Sequence, residues 1–75
     1  MTVDERVVVF LKQSNGRGFC DSCIATHIRR PNGESINRFQ AGNATRPLRS
    51  STDFKQGHGV CSECGKELEK ITQAV

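Results

Sequence analysis

Four cysteines are the residues of this chain with the clearest chemistry. They form two C-x-x-C pairs, Cys20 with Cys23 and Cys61 with Cys64, and the chain has no other cysteine. Two pairs of the same spacing supply four thiolates, which is a complete ligand set for a tetrahedral, all-thiolate zinc site. We therefore predict a single structural zinc ion held by all four cysteines.

Two other uses of these cysteines remain open. His27 follows Cys23 by four residues and His58 precedes Cys61 by three, so either imidazole could replace a thiolate. Solvent-exposed polar side chains are the simpler interpretation of both histidines. A C-x-x-C pair can also act as a redox dithiol, but two such pairs in a short chain without a βαβ pattern are hard to explain in that way.

The ligand count also bears on catalysis. A catalytic zinc ion has three protein ligands and an open position, whereas four cysteines leave none open. The sequence has no paired-carboxylate, Ser-His-Asp or phosphate-loop pattern, and the acidic residues near the second pair are expected to be exposed: Glu63, Glu67 and Glu69. We predict that the protein is not an enzyme and has no small-molecule substrate.

A chain of this length is expected to need a bound metal ion to stabilise its fold. Its 75 residues are expected to form one domain, residues 1–75. A chain this short buries only about 60% of the surface that its unfolded form exposes, so its core alone is marginal. Structural zinc contributes on the order of 10–16 kcal/mol in small zinc peptides. The metal-free protein is therefore expected to be largely unfolded.

Hydropathy gives no sign of a membrane segment or an export signal. The longest apolar run is residues 7–11, far short of the roughly 18 residues that span a bilayer, and charged residues precede it directly. We expect a cytoplasmic protein. In a reducing compartment, C-x-x-C pairs are more often metal ligands than structural disulfides.

The first predicted element is a helix over residues 2–13. Thr2 and Glu5 have the spacing of a capping box, and apolar residues recur at helical spacing along one face: Val3, Val7, Phe10 and Leu11. A strand is the alternative, because residues 7–9 are three consecutive valines. Residues 14–16 are expected to form the turn that ends the element.

Two further helices are predicted before the second cysteine pair. The second begins at Cys20 or Asp21 and is short, since Pro31 disfavours helix before it. The third begins between residues 33 and 35, after a Pro-Asn-Gly turn, and ends between residues 41 and 46. In this helix Ile36 and Phe39 are expected to point inward, and the opposite face would expose five residues: Glu34, Asn37, Arg38, Ala41 and Thr45.

The C-terminal part is predicted to be a hairpin or zinc knuckle. Residues 49–53 are expected to be loop, residues 54–56 a short strand, and residues 57–59 a turn or bulge. Gly65 follows the last cysteine, where a positive φ is needed. Residues 66–75 fit a helix or a strand. The predicted fold class is a small α+β zinc-stabilised domain in which zinc ties the second helix to the C-terminal hairpin.

The positive charge lies in the segment between the cysteine pairs. The net charge is +3, and residues 27–58 contain six arginines and lysines against two carboxylates. Such a distribution is typical of a surface that faces phosphates, although solubility alone would also explain it.

The order of these elements, three helices and then a hairpin, is that of a winged helix-turn-helix. The chain resembles small bacterial zinc-containing winged helix-turn-helix proteins, in which a Cys-Asp-x-Cys motif opens the second helix and a Cys-Ser-x-Cys-Gly-Lys motif lies in the wing. Residues 19–25 and 59–66 match these motifs.

The resemblance implies a transcription regulator that binds double-stranded DNA with its third helix in the major groove, often as a homodimer. Val8 and Val9 would then be candidates for the dimer contact, or simply part of the core. Base readers would be Ser35, Asn37 and Arg38, and phosphate contacts would be Arg29, Arg30, Arg46, Arg49 and Lys55. The alternative function is a zinc-dependent protein–protein interaction adaptor.

Overall fold

The computed structural model describes residues 2–75, which contain three α-helices, one 3-10 helix and three strands. The three strands form one antiparallel sheet in the order β1-β3-β2. This confirms the α+β class with three helices and a C-terminal hairpin. The elements in chain order are α1 (Val3–Gln13), β1 (Phe19–Cys20), α2 (Asp21–His27), α3 (Arg38–Thr45), the 3-10 helix (Arg46–Ser50), β2 (Phe54–Val60) and β3 (Glu67–Ala74).

Helix α1 begins with the predicted capping box. The Thr2 hydroxyl accepts a hydrogen bond from the Glu5 N–H (3.2 Å), and the Glu5 carboxylate accepts one from the Thr2 N–H (3.3 Å). The Thr2 backbone N–H thereby lowers the pKa of Glu5. Val7 and Leu11 are fully buried. The strand alternative for this segment is wrong.

Helix α2 also begins where the sequence predicts. Cys20 is its N-cap, and the Cys20 Sγ accepts a hydrogen bond from the Cys23 N–H at 3.5 Å. Phe19 precedes the cap and Ile24 lies at the fourth helical position, and both are buried. This pair forms the hydrophobic staple that fixes how the chain enters the helix.

Helix α3 begins later than predicted. The turn after Pro31 continues as a short antiparallel pairing, in which the Arg30 N–H donates to the Glu34 carbonyl at 2.8 Å and Gly33 adopts a φ of +89°. The chain therefore stays extended beyond the predicted start at residues 33–35. Asn37 is the N-cap of a capping box: its side-chain oxygen accepts from the Gln40 N–H, and its backbone N–H donates to the Gln40 side chain, each at 2.9 Å.

The predicted inward face of α3 is only partly correct, since Ile36 is buried as predicted but precedes the helix. Phe39 is 68% exposed, whereas Ala41 and Thr45, which were assigned to the exposed face, are fully buried. Ala44 is buried beside them, and this side of α3 packs against α2. Small side chains at these positions let the two helices approach closely, which decides the buried face more strongly than the one aromatic residue does.

The sheet resolves the segment that the sequence left open. Residues 67–74 are a strand, and β2 extends through residue 60 rather than ending at 56. The pairing runs from Phe54 opposite Ala74 to Val60 opposite Glu67, with a shift of register between Gly57 and Gly59. The irregularity predicted at residues 57–59 is thus present, but the extra residue lies in β3, where Glu69 and Lys70 together face His58. The two-residue strand β1 was not predicted; it pairs with the other edge of β3.

The core lies between the helices and the inner face of the sheet. Three of the four cysteines belong to it, and Phe39 does not. No helix within residues 2–75 has the length and apolar character needed to cross a bilayer. The largest fully buried side chains are Leu11, Ile24, Val7, Thr45, Thr72 and Cys61.

Candidate metal centre and basic surface

The four predicted metal ligands come together in the structure. Cys20 ends β1, Cys23 lies in the first turn of α2, Cys61 follows β2, and Cys64 lies in the turn between β2 and β3. Their Sγ atoms all lie within 4.8 Å of one another. Cys64 is exposed, whereas the other three are buried.

The sheet brings the two cysteine pairs together. Strands β1 and β2 lie on opposite edges of β3, and Cys20 pairs with Ile71. Beyond the ends of β1 and β2, the Ser62 N–H donates to the Gly18 carbonyl at 2.8 Å, and the Cys20 N–H approaches the Cys61 Sγ at 3.5 Å. The start of α2 is thus held against the β2–β3 turn.

The β2–β3 turn has the knuckle geometry that the second motif predicts. The Cys61 N–H donates to the Lys66 carbonyl (3.0 Å), and the Gly65 N–H donates to the Cys61 carbonyl (2.9 Å). Gly65 adopts a φ of +72°, a conformation that glycine reaches without a Cβ penalty. The turn therefore directs both of its cysteines toward the same point.

The cluster fits a tetrahedral thiophilic ion. A zinc–sulfur distance of about 2.3 Å places tetrahedral sulfurs about 3.8 Å apart. The Sγ atoms of Cys20 and Cys64 are 4.0 Å apart, and the longest separation in the cluster is under 4.8 Å. Side-chain shifts of about 1 Å or less would complete the geometry. Four thiolates are the donor set that favours zinc over harder cations such as magnesium.

The thiols differ in how easily they lose a proton. Burial acts to raise the pKa of Cys61, but backbone N–H groups of Cys64, Cys20 and Glu63 point at its sulfur and lower the pKa to about 6. Burial raises the pKa of Cys20 and, more strongly, that of Cys23. Of the three buried cysteines, Cys61 is therefore the one that most readily becomes a thiolate.

Neither histidine belongs to the cysteine cluster. The His27 ring stacks on Phe10, with 4.9 Å between centroids and 20° between planes, and its Nε2 contacts the Glu63 carboxylate. That hydrogen bond lowers the pKa of Glu63. His58 pairs with Glu67 at 3.1 Å on the exposed surface. His27 thus links α1 and α2 to the knuckle, a role the sequence did not reveal.

A polar network connects the metal-bearing end of α2 to α3 and the sheet. Asp21 accepts a hydrogen bond from the Thr45 hydroxyl at 3.2 Å and forms an ion pair with Lys70 at 3.4 Å. Lys70 also donates to the Gly42 carbonyl at 3.4 Å. Asp21 and Lys70 are far apart in the chain, so no local pattern connects them. The network holds α3 in position relative to the cysteine cluster.

The predicted nucleic-acid contacts fall into separate groups rather than one. All are exposed except Arg30, which is half-buried beside the N-terminal end of α1. Lys55 lies on β2. A cavity of about 470 Å³ beside the start of α3 is lined by Arg29, Ser35, Asn37 and Arg38, and a second of about 420 Å³ is lined in part by Arg46 and Arg49.

The outward face of α3 differs from the one predicted. Phe39, Asn43 and Arg46 are exposed and recur at helical spacing, so they lie on one side. The Arg38 guanidinium lies 5.0 Å from the centroid of the Phe39 ring. Ser35 precedes the helix, and the Asn37 side chain is occupied in capping it. Phe39 and Asn43 were not among the predicted contacts, because the hydrophobicity of Phe39 favoured a core position.

Comparison with known proteins adds no relative. No protein-family model matches the chain, and no match is found among curated proteins or solved structures. The functional proposals for this protein therefore rest on its own residues and geometry.

Proposed function

We propose that this protein is a zinc-stabilised winged-helix domain that binds double-stranded DNA through α3. The observation that carries the proposal is the element order: three helices followed by an antiparallel hairpin, with α3 presenting a polar and basic outward face. In a helix-turn-helix, the second helix of the motif enters the major groove. Helices α2 and α3 correspond to the two helices of that motif.

Zinc would have a structural role in this domain. Four thiolates complete a tetrahedral shell and leave no open position for a substrate, which supports a binding role over a catalytic one. The ion would join the start of α2 to the β2–β3 turn. Because Asp21 adjoins Cys20 and contacts both Thr45 and Lys70, the metal centre would also set the orientation of α3.

The side chains that would contact bases are those on the outward face of α3. Asn43 is suited to adenine and Phe39 to the methyl group of thymine, whereas Arg46, which begins the 3-10 helix, is suited to the phosphate backbone. Arg38 begins the helix and adds a charge beside Phe39. The exposed cations on neighbouring elements would contact phosphates: Arg29, Arg49 and Lys55.

The test is a selection of duplexes from a random DNA pool with zinc-loaded protein, followed by affinity measurements at several salt concentrations. Five or six phosphate contacts predict a slope of log K against log salt of about −4 to −5. Asn43→Ala should weaken the sequence preference and leave the slope unchanged. A two-fold symmetric site would support the predicted homodimer, in which Val8 and Val9 are candidates for the contact. The absence of duplex binding at low salt would refute the proposal.

A protein–protein adaptor is the second candidate function, and the exposed Phe39 is the observation that favours it. Exposed aromatic side chains are common anchors of protein interfaces. Charge reversal at Arg38 and Arg46 separates the two functions. It should abolish duplex binding in a DNA-binding domain, whereas in an adaptor a partner would remain bound and Phe39→Ala would release it.

A further inference from the structure

Three cationic side chains line one cavity between the 3-10 helix and the sheet. This basic cavity has a volume of about 420 Å³ and contains no carboxylate among its lining residues, which are Arg46, Arg49, Gln56, Gly57 and Lys70. Both arginines were predicted phosphate contacts, whereas nothing in the sequence connects them with Lys70 or Gln56.

The two arginines project from the same side of the 3-10 helix. A 3-10 helix has three residues per turn, so residues at positions i and i+3 are aligned along it. Arg46 and Arg49 have this spacing and are both exposed. Neither forms an ion pair within residues 2–75, so both guanidinium groups are available to an anion.

Lys70 reaches the cavity from the opposite wall. The shift of register in the hairpin places Glu69 and Lys70 together opposite His58, which is a bulge in β3. Lys70 is held between Asp21 and the Gly42 carbonyl, each at 3.4 Å.

Two residues of β2 form the floor between these walls. Gln56 donates through its amide to the Thr45 carbonyl. Gly57 leaves open space, since a Cβ built there would have no atom within 4 Å. The floor of the cavity is therefore held in place by the Gln56 hydrogen bond and is open to a ligand at Gly57.

We propose that the basic cavity binds one phosphate group of a nucleic-acid backbone. Asp21 offsets the charge of Lys70, so the Arg49 guanidinium is the group that neutralises a phosphate diester, an anion that arginine can bind through two parallel hydrogen bonds, and Arg46 adds positive charge beside it. Arg46 directly follows α3 and lies on the same side as Phe39 and Asn43. A duplex that contacts this face would bring its backbone to the cavity, so the inference rests on the proposed function.

The test uses Arg49→Gln, because Arg49 lies in the cavity and not on the outward face of α3. For zinc-loaded protein and a duplex, the slope of log K against log salt should become less steep by about 1, and affinity should fall equally for all sequences. Arg49→Lys should recover most of the slope. Arg17→Gln, which removes an exposed charge from a different cavity, is the matched control and should leave the slope unchanged.

Other outcomes would show whether this inference or the proposed function is wrong. Duplex binding with the same slope in Arg49→Gln as in the wild type would overturn this inference and leave the proposed function intact. If the wild type binds no duplex, the proposed function fails and the inference fails with it. Inorganic phosphate alone should then be titrated while the Gly57 amide signal is followed. A saturable shift of that signal, without duplex binding, would show that the cavity binds a free phosphorylated ligand and not a nucleic-acid backbone.

Discussion

Removal of the metal ion should unfold most of this protein. At about 0.05–0.15 kcal/mol per residue, 75 residues have a total stability of about 4–11 kcal/mol. Structural zinc contributes on the order of 10–16 kcal/mol in zinc peptides, which is as large as that total. In addition, the buried core includes Cys20, Cys23 and Cys61. Removal of the ion therefore leaves thiols and one thiolate without a metal partner inside the core.

The assay compares zinc-loaded protein before and after addition of a chelator, by amide dispersion in a ¹H–¹⁵N spectrum and by far-ultraviolet circular dichroism. Chelation should collapse the amide dispersion, and zinc should restore it. Cys61→Ser should behave like the chelated protein even in excess zinc, because the lost ligand is 1% exposed and central to the cluster. Ser62→Ala, a change at the adjacent exposed residue, is the control and should behave like the wild type.

One result would refute this reasoning. If the chelated protein keeps a dispersed amide spectrum and unfolds cooperatively near the temperature of the zinc-loaded form, the core alone is sufficient for the fold. The cysteine cluster would then be an addition to a stable domain rather than its staple.

Three further predictions concern stability and protons. Gly18→Ala should destabilise the zinc-loaded protein by about 1–3 kcal/mol in urea denaturation, because the new Cβ would lie 2.5 Å from the Ile71 Cγ2, whereas Gly57→Ala has open space and should have little effect. Thr2→Ala should cost about 0.5–2 kcal/mol in the same assay through loss of the α1 cap, and an unchanged midpoint would contradict that role. Zinc affinity should fall as pH falls, since protons compete for the thiolates. The pKa of Cys61 is lower in the folded protein than in the unfolded chain, so ionisation of this thiol stabilises the fold. This stabilisation is complete above about pH 8.5 and is lost as pH falls through about 6. Calorimetry in buffers of different ionisation enthalpy should find fewer than four protons released on zinc binding at neutral pH, because Cys61 has already lost its proton, and release of all four would contradict this.

Local sequence was sufficient to predict the elements whose ends contain their own hydrogen-bond partners. The capping box of Thr2 and Glu5 defines the start of α1, Cys20 caps α2, and Gly65 closes the knuckle. In each case the interacting groups lie within about four residues of one another. The grouping of the four cysteines was also predictable, because residue type and spacing alone define a ligand set. The organisation of residues 1–75 as a single domain stays a prediction.

The other features of the fold and the site depend on contacts between residues that are far apart in the chain. The buried side of α3 is set by α2, which accepts Ala41 and Thr45 and leaves Phe39 exposed, in spite of its hydrophobicity. The pairing of β1 with β3 and the bulge at Lys70 depend on strand register, which no local pattern encodes. The basic cavity and the link from Asp21 to α3 follow from that register. Hydrogen bonds within a turn can be read from neighbouring residues, whereas burial and cross-strand register depend on surfaces that exist only after the chain has folded.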